Sequence, residues 1–547
     1  MHRALFIDEI LYAIFRQRGP QLPSEYHSEQ RLSGTDLVAL ARTCRVFKEP
    51  ALDVLWRELN DSTALVRCLP DICCLKGSDP TYSVRHLLSI GVATHHTQTY
   101  VFERKLGEAE RDIIKGYTRR IRGLRIFRPI PPIDSQSFAD LCLPSSTDPL
   151  FPNLRRLHLD ITDESFPLIR HVAVRELRWL SLRILASNVA LCENTLDALG
   201  TNCPNLEEII VFEFCPSFRI DRIVTGQIRY WRRLRALVCP QYSLSIDTLT
   251  HLSHVHGLTE LAFTLSDAFT NPIAIPDHVL HFPALRMLQV SVESIAIIPQ
   301  LFTSLLLPAV KYLTVLCYHS SPSEHAIRSL SAALAKSCSS SLDIHLSLMQ
   351  IPSLNVVTQD AGRPVLTPED VHPLLALNLA SIIIDLNCII DLNDSDLLGL
   401  ASACPRLSSL AVNNTYGWAA PGITPTCLIQ ILQRCRLSDV CIALDTQHHT
   451  LLSPMQPDDR NSNSPLSITL DVADSAIQAE SVPALAAYFA DHFPVPDRDG
   501  DDVHFSLESW KTPVMRSRCR NWEVYAERWA EVYTLAKQTL LERSHNQ

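Results

Sequence analysis

The residues best suited to chemistry in this 547-residue chain are charged and aromatic ones at short, regular intervals: Arg125, then Arg156 and His158, then Trp179 and Arg183, with Glu208 and Glu260 further on. A guanidinium offers a planar fork of donors that fits a carboxylate or a phosphate, and an indole beside it adds a rigid contact face. Such a set suits the binding of an acidic or phosphorylated protein segment. The competing expectation is that these arginines are solvated, or paired with Asp160 and Glu176, and serve solubility alone. Bond-making constellations are not found: the sequence carries no GxxxxGK[ST], GxGxxG, GxSxG or HExxH. No catalytic residue, cofactor or metal is therefore assigned. Cys73-Cys74 lacks a C-x-x-C partner, and the doublets His95-His96 and His448-His449 fall in polar stretches, which makes a poor zinc ligand set.

The spacing of those residues comes from a ladder. The pattern L-x-x-L-x-L, with Val, Ile, Cys or Phe admitted at the apolar places, opens at Ile121, Leu154, Leu177, Leu206, Leu234, Leu258, Leu285 and Val310. It returns at Leu379, Leu407 and Leu437 after a blurred unit over Leu342 to Leu346. A period of roughly 23 to 33 residues is that of a leucine-rich repeat, in which each unit is a short strand plus a return segment. One unit cannot bury its own apolar face, so neighbours stack into a solenoid. Several returns have helical spacing: 193–206 with Leu196, Leu199 and Cys203, 394–407 with Leu397, Leu400 and Cys404, and the stretches 324–338 and 425–435. The expected architecture is α/β, a horseshoe with parallel strands on its concave side. Alternation along each strand then places Arg125, Arg156, His158, Trp179, Arg183, Glu208 and Glu260 on that side, followed by the nearly uncharged Met287, Gln289, Tyr312, Thr314, Ser409 and Asn413. A weaker ladder at Val84 to Val92 is expected as the first strand, and 266–282, 356–373 and 446–465 as long polar loops.

Composition fits an interaction scaffold. The net charge of -10 makes nucleic acid a poor first partner, and no run of eighteen apolar residues supports a membrane span. Asp8 and Glu9 interrupt the apolar N-terminus, which is not read as a signal peptide. Seventeen cysteines, several at ladder places (Cys203, Cys239, Cys404), read as buried free thiols in a reducing compartment.

Ahead of the ladder the pattern is helical. Phe6, Ile7, Ile10, Leu11, Ile14 and Phe15 form one apolar stripe, 19–31 is a polar insert, and Leu37, Leu40 and Cys44 are followed by a helix holding Leu52, Leu55 and Trp56, with Pro50 at its first position. This segment resembles the F-box. FIDEIL supplies Phe6, Glu9, Ile10 and Leu11, with Ile7 where the family has proline; Asp36, Leu37, Leu40, Cys44 and Phe47 match its middle, and Leu55-Trp56 its close. Joined to the repeats, it looks like fungal F-box and leucine-rich-repeat proteins. That resemblance implies docking on a Skp1-type adaptor through Ile7, Ile10, Leu11, Leu37, Leu40, Phe47, Leu55 and Trp56. It further implies a place as substrate receptor in an SCF-type cullin-RING ubiquitin ligase.

The expected division is an F-box-like domain of three helices over 1–60, a connection over 61–80, the repeat solenoid over 81–515 and a capping amphipathic helix over 516–547, where Trp522, Tyr525, Ala526, Trp529 and Val532 recur at helical spacing. The chain is read as non-catalytic and intracellular, cytoplasmic or nuclear, binding a protein substrate on the concave face. The alternative is a repeat scaffold with no ligase role, its helical N-terminus serving only as a cap.

Overall fold

Every ladder opening leads into a β-strand, two residues on in ten of the eleven and at the opening itself at Leu379. The apolar residue at the opening is buried, as Leu154, Leu177, Leu206 and Leu234 all are, and the residue after it turns its carbonyl toward the next repeat. There it accepts two successive amides: Arg155 O takes Arg178 N and Trp179 N, both at 2.9 Å, and Arg286 O takes Lys311 N at 2.8 Å and Tyr312 N at 2.9 Å. Stacking is thus written into the backbone of each unit, and the leucines supply the core between strand and return. A computed structural model describes residues 7–17, 34–60, 63–69, 74–77, 99–102, 104–126, 149–161, 169–184, 199–213, 226–227, 230–265, 279–318, 324–338, 343–351, 363–419, 421–446, 468–493 and 505–546. The chain forms two compact units, Met1–Cys239 and Pro240–Gln547. Each is an α/β run of repeats whose main-sheet strands are parallel and in chain order.

In the first unit the sheet runs from Glu58–Leu59 through Gly123–Ile126, Arg156–Ile161, Trp179–Ile184 and Glu208–Glu213 to the start of Ala236–Ser243. Its first strand stands earlier than expected. Glu58 pairs with Gly123, so Trp56 occupies the place that Ile121 opens in the following repeat, and Trp56-x-x-Leu59 is itself a ladder unit. Expected strand Val84 to Val92 lies outside the described residues; Cys74–Gly77 and Thr99–Phe102 pair antiparallel. Ahead of the sheet, helices Asp8–Gln17, Gly34–Thr43 and Arg45–Leu55 close on Leu11, Phe15, Leu37, Ala51 and Val54. They are tied to the repeats by Arg120, which forms ion pairs with Glu49 and Asp53. Trp56 adds an aromatic contact with Tyr117 of the Glu108–Thr118 helix, ring centroids 4.5 Å apart.

In the second unit the returns fold as helices where the spacing placed them: Glu324–Ser337, Asp394–Ala403 and Pro425–Arg434. Polar side chains link one return to the next. Asn393 caps its helix through Ser395 N at 2.9 Å; the Asp394 carboxylate accepts Thr424 N and Oγ1, each at 2.8 Å, and Thr424 Oγ1 in turn accepts Cys427 N at 3.1 Å. Two expected loops are partly structured: Leu280–His281 pairs with Leu305–Leu306, and Val365–Leu366 leads into the helix Pro368–Val371. Residues 266–278, 356–362 and 447–465 lie outside the described residues. Strands Ile468–Asp471 and Phe505–Glu508 extend the sheet past the last ladder opening. The helix Trp522–Asn546 then turns Trp529, Val532, Ala536 and Leu540 inward. Trp529 Nε1 donates to Ser475 O at 2.9 Å, and Arg543 Nη1 to Ala490 O at 2.7 Å.

Candidate protein-binding face

Strand registry lays the charged residues of the first unit out in rows. One row crosses the strands as Glu58, Gly123, Arg156, Trp179, Glu208 and Ala236. Two residues along comes Arg125, His158, Ser181, Ile210 and Val238, and two further Asp160, Arg183 and Phe212. The places between, Leu124, Leu157, Leu159, Leu180 and Leu182 among them, are buried on the other face. Arg125, Arg156, His158, Trp179, Arg183 and Glu208 therefore share one face of one unit. Glu260 belongs to the second unit, in a row with Met287, Tyr312 and His345.

The arginines of this face have acidic neighbours. Asp160, only 2% exposed, accepts from Arg183 Nε at 3.0 Å and pairs with Arg183 Nη2, and His158 Nε2 stands 3.7 Å from its carboxylate. Arg156 Nη1 lies 3.6 Å from Glu58 Oε1, and its guanidinium is 5.6 Å from the centre of the Trp179 ring, against which His158 stacks at 6.4 Å. Burial and the nearby Arg156 lower the pKa of Arg125, and Glu58 opposes that shift. Glycine at 123 makes room for the carboxylate, since a methyl group there would run into the Glu58 side chain. The pairing expected with Asp160 is present for Arg183; Glu176 is exposed on the turn. Glu58, in a strand that lacks the opening leucine, is the additional partner.

His158, Asp160 and Ser181 are neighbours in this registry, but the Asp160 carboxylate is held by Arg183 and the His158 contact is longer than a hydrogen bond. The set lacks the nucleophile-to-base geometry of a relay. What it offers is a flat array of paired charges around one indole. Replacing Asp160 by Asn should leave Arg183 without its ionic partner and lower stability by ~1 kcal/mol, below the range for a buried charge-assisted bond because Arg183 is partly open to water. Urea unfolding compared with the parent protein checks this; coincident curves would mark the pair as inert.

In the second unit Met287, Gln289, Tyr312, Thr314 and Ser409 lie on the equivalent face, where Tyr312 stacks on His345 at 4.8 Å. Asn413 does not. The strand ends at Val412; Asn413 turns with φ +51° and is buried. Its amide accepts Leu386 N and donates to Cys388 O and Gly417 O, all at 3.0 Å. Asparagine tolerates this left-handed turn and joins two repeats through it. Also missed from sequence were Asp471, whose pKa burial raises against the pull of Lys511, and Glu508, which pairs with the same lysine.

The residues expected to dock an adaptor divide into three groups. Leu11 and Leu37 are core, and Leu40, Phe47 and Leu55 pack on the edge of that core, with Phe15 and Phe47 edge to face at 6.0 Å. Trp56 is committed to the contact with Tyr117. Ile7 and Ile10 point outward, and Ile14 and Val38 are exposed with them.

Among the described residues no group of three or more His, Cys, Asp or Glu side chains is arranged to hold a metal, and no helix is long and apolar enough to cross a membrane. Cys73 and the two histidine doublets lie outside them. No protein-family model and no curated protein matches the chain. Among solved structures, an internalin from Listeria monocytogenes is similar at 18% identity over 53% of this chain and 75% of that one, with a TM-score of 0.28.

Proposed function

We propose that the chain is a non-catalytic protein-binding subunit, the substrate receptor of an SCF-type cullin-RING ubiquitin ligase. The observation that carries the adaptor half of this reading is the exposed apolar set Ile7, Ile10, Ile14 and Val38 on a three-helix core whose inner residues are already satisfied. Exposed aliphatic side chains clustered on one small helical unit suit a protein partner, here an adaptor of the Skp1 type. The strand face, with Arg156, His158 and Trp179 at its centre, would hold the substrate. Catalysis would come from proximity to a charged E2, to which this chain adds no chemical group. Such a subunit works inside the cell, in cytoplasm or nucleus.

The test uses the outward residues and spares the core. The double substitution Ile10→Glu and Ile14→Glu should leave circular dichroism unchanged and abolish capture of a purified Skp1-type adaptor. Equal capture by parent and variant would remove the ligase assignment. A second reading, a repeat scaffold whose N-terminal helices only cap the solenoid, is favoured by the ion pairs of Arg120 with Glu49 and Asp53 and by the packing of Trp56 on Tyr117. Failure of the parent protein to bind the adaptor would select it.

A further inference from the structure

The bifurcated carbonyls that join the repeats of the first unit belong to Arg57, Arg122, Arg155, Arg178 and Glu207, and Arg235 holds the same place in the next repeat. Five of these six residues are arginine. Equivalent places in a parallel stack are about 4.8 Å apart and leave the sheet in the same direction; Arg178 Nη1 and Glu207 Oε1 accordingly meet at 3.2 Å. Arg155, Arg178 and Arg235 are exposed. The turn just before adds Arg119 and Arg175, whose carbonyls accept Asn153 Nδ2 at 2.8 Å and Asn205 Nδ2 at 3.0 Å, so their backbone is fixed beside the column.

The fold does not ask for arginine here. The structural part is the carbonyl, and in the second unit Thr259 and Ser408 make the same paired bonds, to Arg286 and Met287 and to Ser438 and Asp439. A side chain free to vary has become arginine five times, in a chain whose net charge is -10. Within the column the one acid is Glu207, which pairs with Arg178, and Glu176 stands exposed beside Arg175 on the adjoining turn.

We propose that the strand-entry rim of the first unit is a separate docking surface for an Asp/Glu-rich segment of a partner protein. Charge complementarity names the occupant. The column supplies guanidinium forks and no aromatic ring on which bases could stack, and Glu207 interrupts it, which suits discrete carboxylates over a continuous phosphate backbone. This surface uses neither the isoleucine set nor the strand face, so it stands or falls apart from the ligase reading.

Serine already fills this place at Ser408, so the double substitution Arg155→Ser and Arg178→Ser is compatible with the repeat, and Arg235→Ser alone is a milder second variant. Fluorescence anisotropy of a labelled oligoglutamate peptide on the full chain should show binding by the parent. The double variant should bind about tenfold more weakly, as two lost solvent-exposed ion pairs would give, with a shallower salt dependence. Arg235→Ser should lose less, and Arg406→Ser, outside the rim, nothing. Equal affinity of parent and double variant, an equal loss with Arg406→Ser, absence of peptide binding by the parent, or tighter binding of a single-stranded oligonucleotide of the same charge would each overturn the proposal.

Discussion

Above about pH 9 the protein should lose stability steeply, and the second unit should unfold at lower pH than the first. Burial pushes the thiols of Cys203, Cys338 and Cys388 up to about 12 from an ordinary 9.0. Below pH 9 each thiol keeps its proton folded or unfolded and contributes nothing to the pH dependence. Between the two values only the unfolded chain gives the proton up, so the unfolded state gains somewhat more than ~1 kcal/mol per thiol for each pH unit. At about pH 10.5 that is ~2 kcal/mol for each, one such thiol acting in the first unit and two in the second. Cys435, raised to about 11, adds to the second. Thermal unfolding followed at about pH 8 and pH 10.5 measures the effect, and Cys338→Ala with Cys388→Ala should flatten it. An unchanged midpoint would mean that these thiols reach water. The same burial should make Cys203 and Cys404 slow to react with a bulky alkylating reagent until denaturant is added.

Trp418→Ala should cost ~3–5 kcal/mol, the range for emptying a large aromatic site, and the loss should appear in the unfolding of the second unit. The indole is fully buried in the turn that follows the Ser409–Val412 strand, and Nε1 donates to Val412 O at 2.7 Å. Its backbone amide donates to both Asp474 oxygens, at 2.8 and 3.0 Å, and Gly417 beside it takes φ +72° with the Asp474 carboxylate where a Cβ would stand. Ring, carbonyl and carboxylate thus fix one turn between distant parts of the chain. Trp418→Phe keeps most of the volume and loses the donor, so ~1–2 kcal/mol is expected. Urea titration of both variants gives the numbers; a Trp418→Ala shift no larger than that of Trp418→Phe would show that the site collapses around the vacancy.

The repeats were legible because their signal is a burial pattern. Leu154, Leu177 and Leu206 occupy the same place in the sheet, and the two-residue alternation that follows placed Arg156, His158, Trp179 and Arg183 correctly on one face. Three strands of the main sheet were missed where the opening leucine is replaced. Trp56 stands in for it before Glu58–Leu59 within a segment read as helical, and Ile468–Asp471 and Phe505–Glu508 have only their inner apolar places. Missing the first of these hid Glu58, and with it the partner of Arg156. Alternation assigns a residue to a face but says nothing of its neighbour one strand over, so the face looked basic where the structure has charge pairs. Asn413 escaped for another reason: it lies one residue past the strand, where a positive φ ends the alternation.

The sheet of the first unit starts three residues after the helix Arg45–Leu55 ends, on a strand of two residues. An outermost strand offers unpaired amides and carbonyls to any passing chain, and proteins shorten or cover such borders to stay monodisperse. Glu58–Leu59 does both: it is brief, it carries an inward-leaning carboxylate, and the helices behind it are clamped down by Arg120. A fragment cut at residue 61 to isolate the repeats would uncover the longer Gly123–Ile126 strand as a fresh border. It would invite strand-to-strand self-association, whereas a fragment that keeps all three N-terminal helices with the strand carries its own seal.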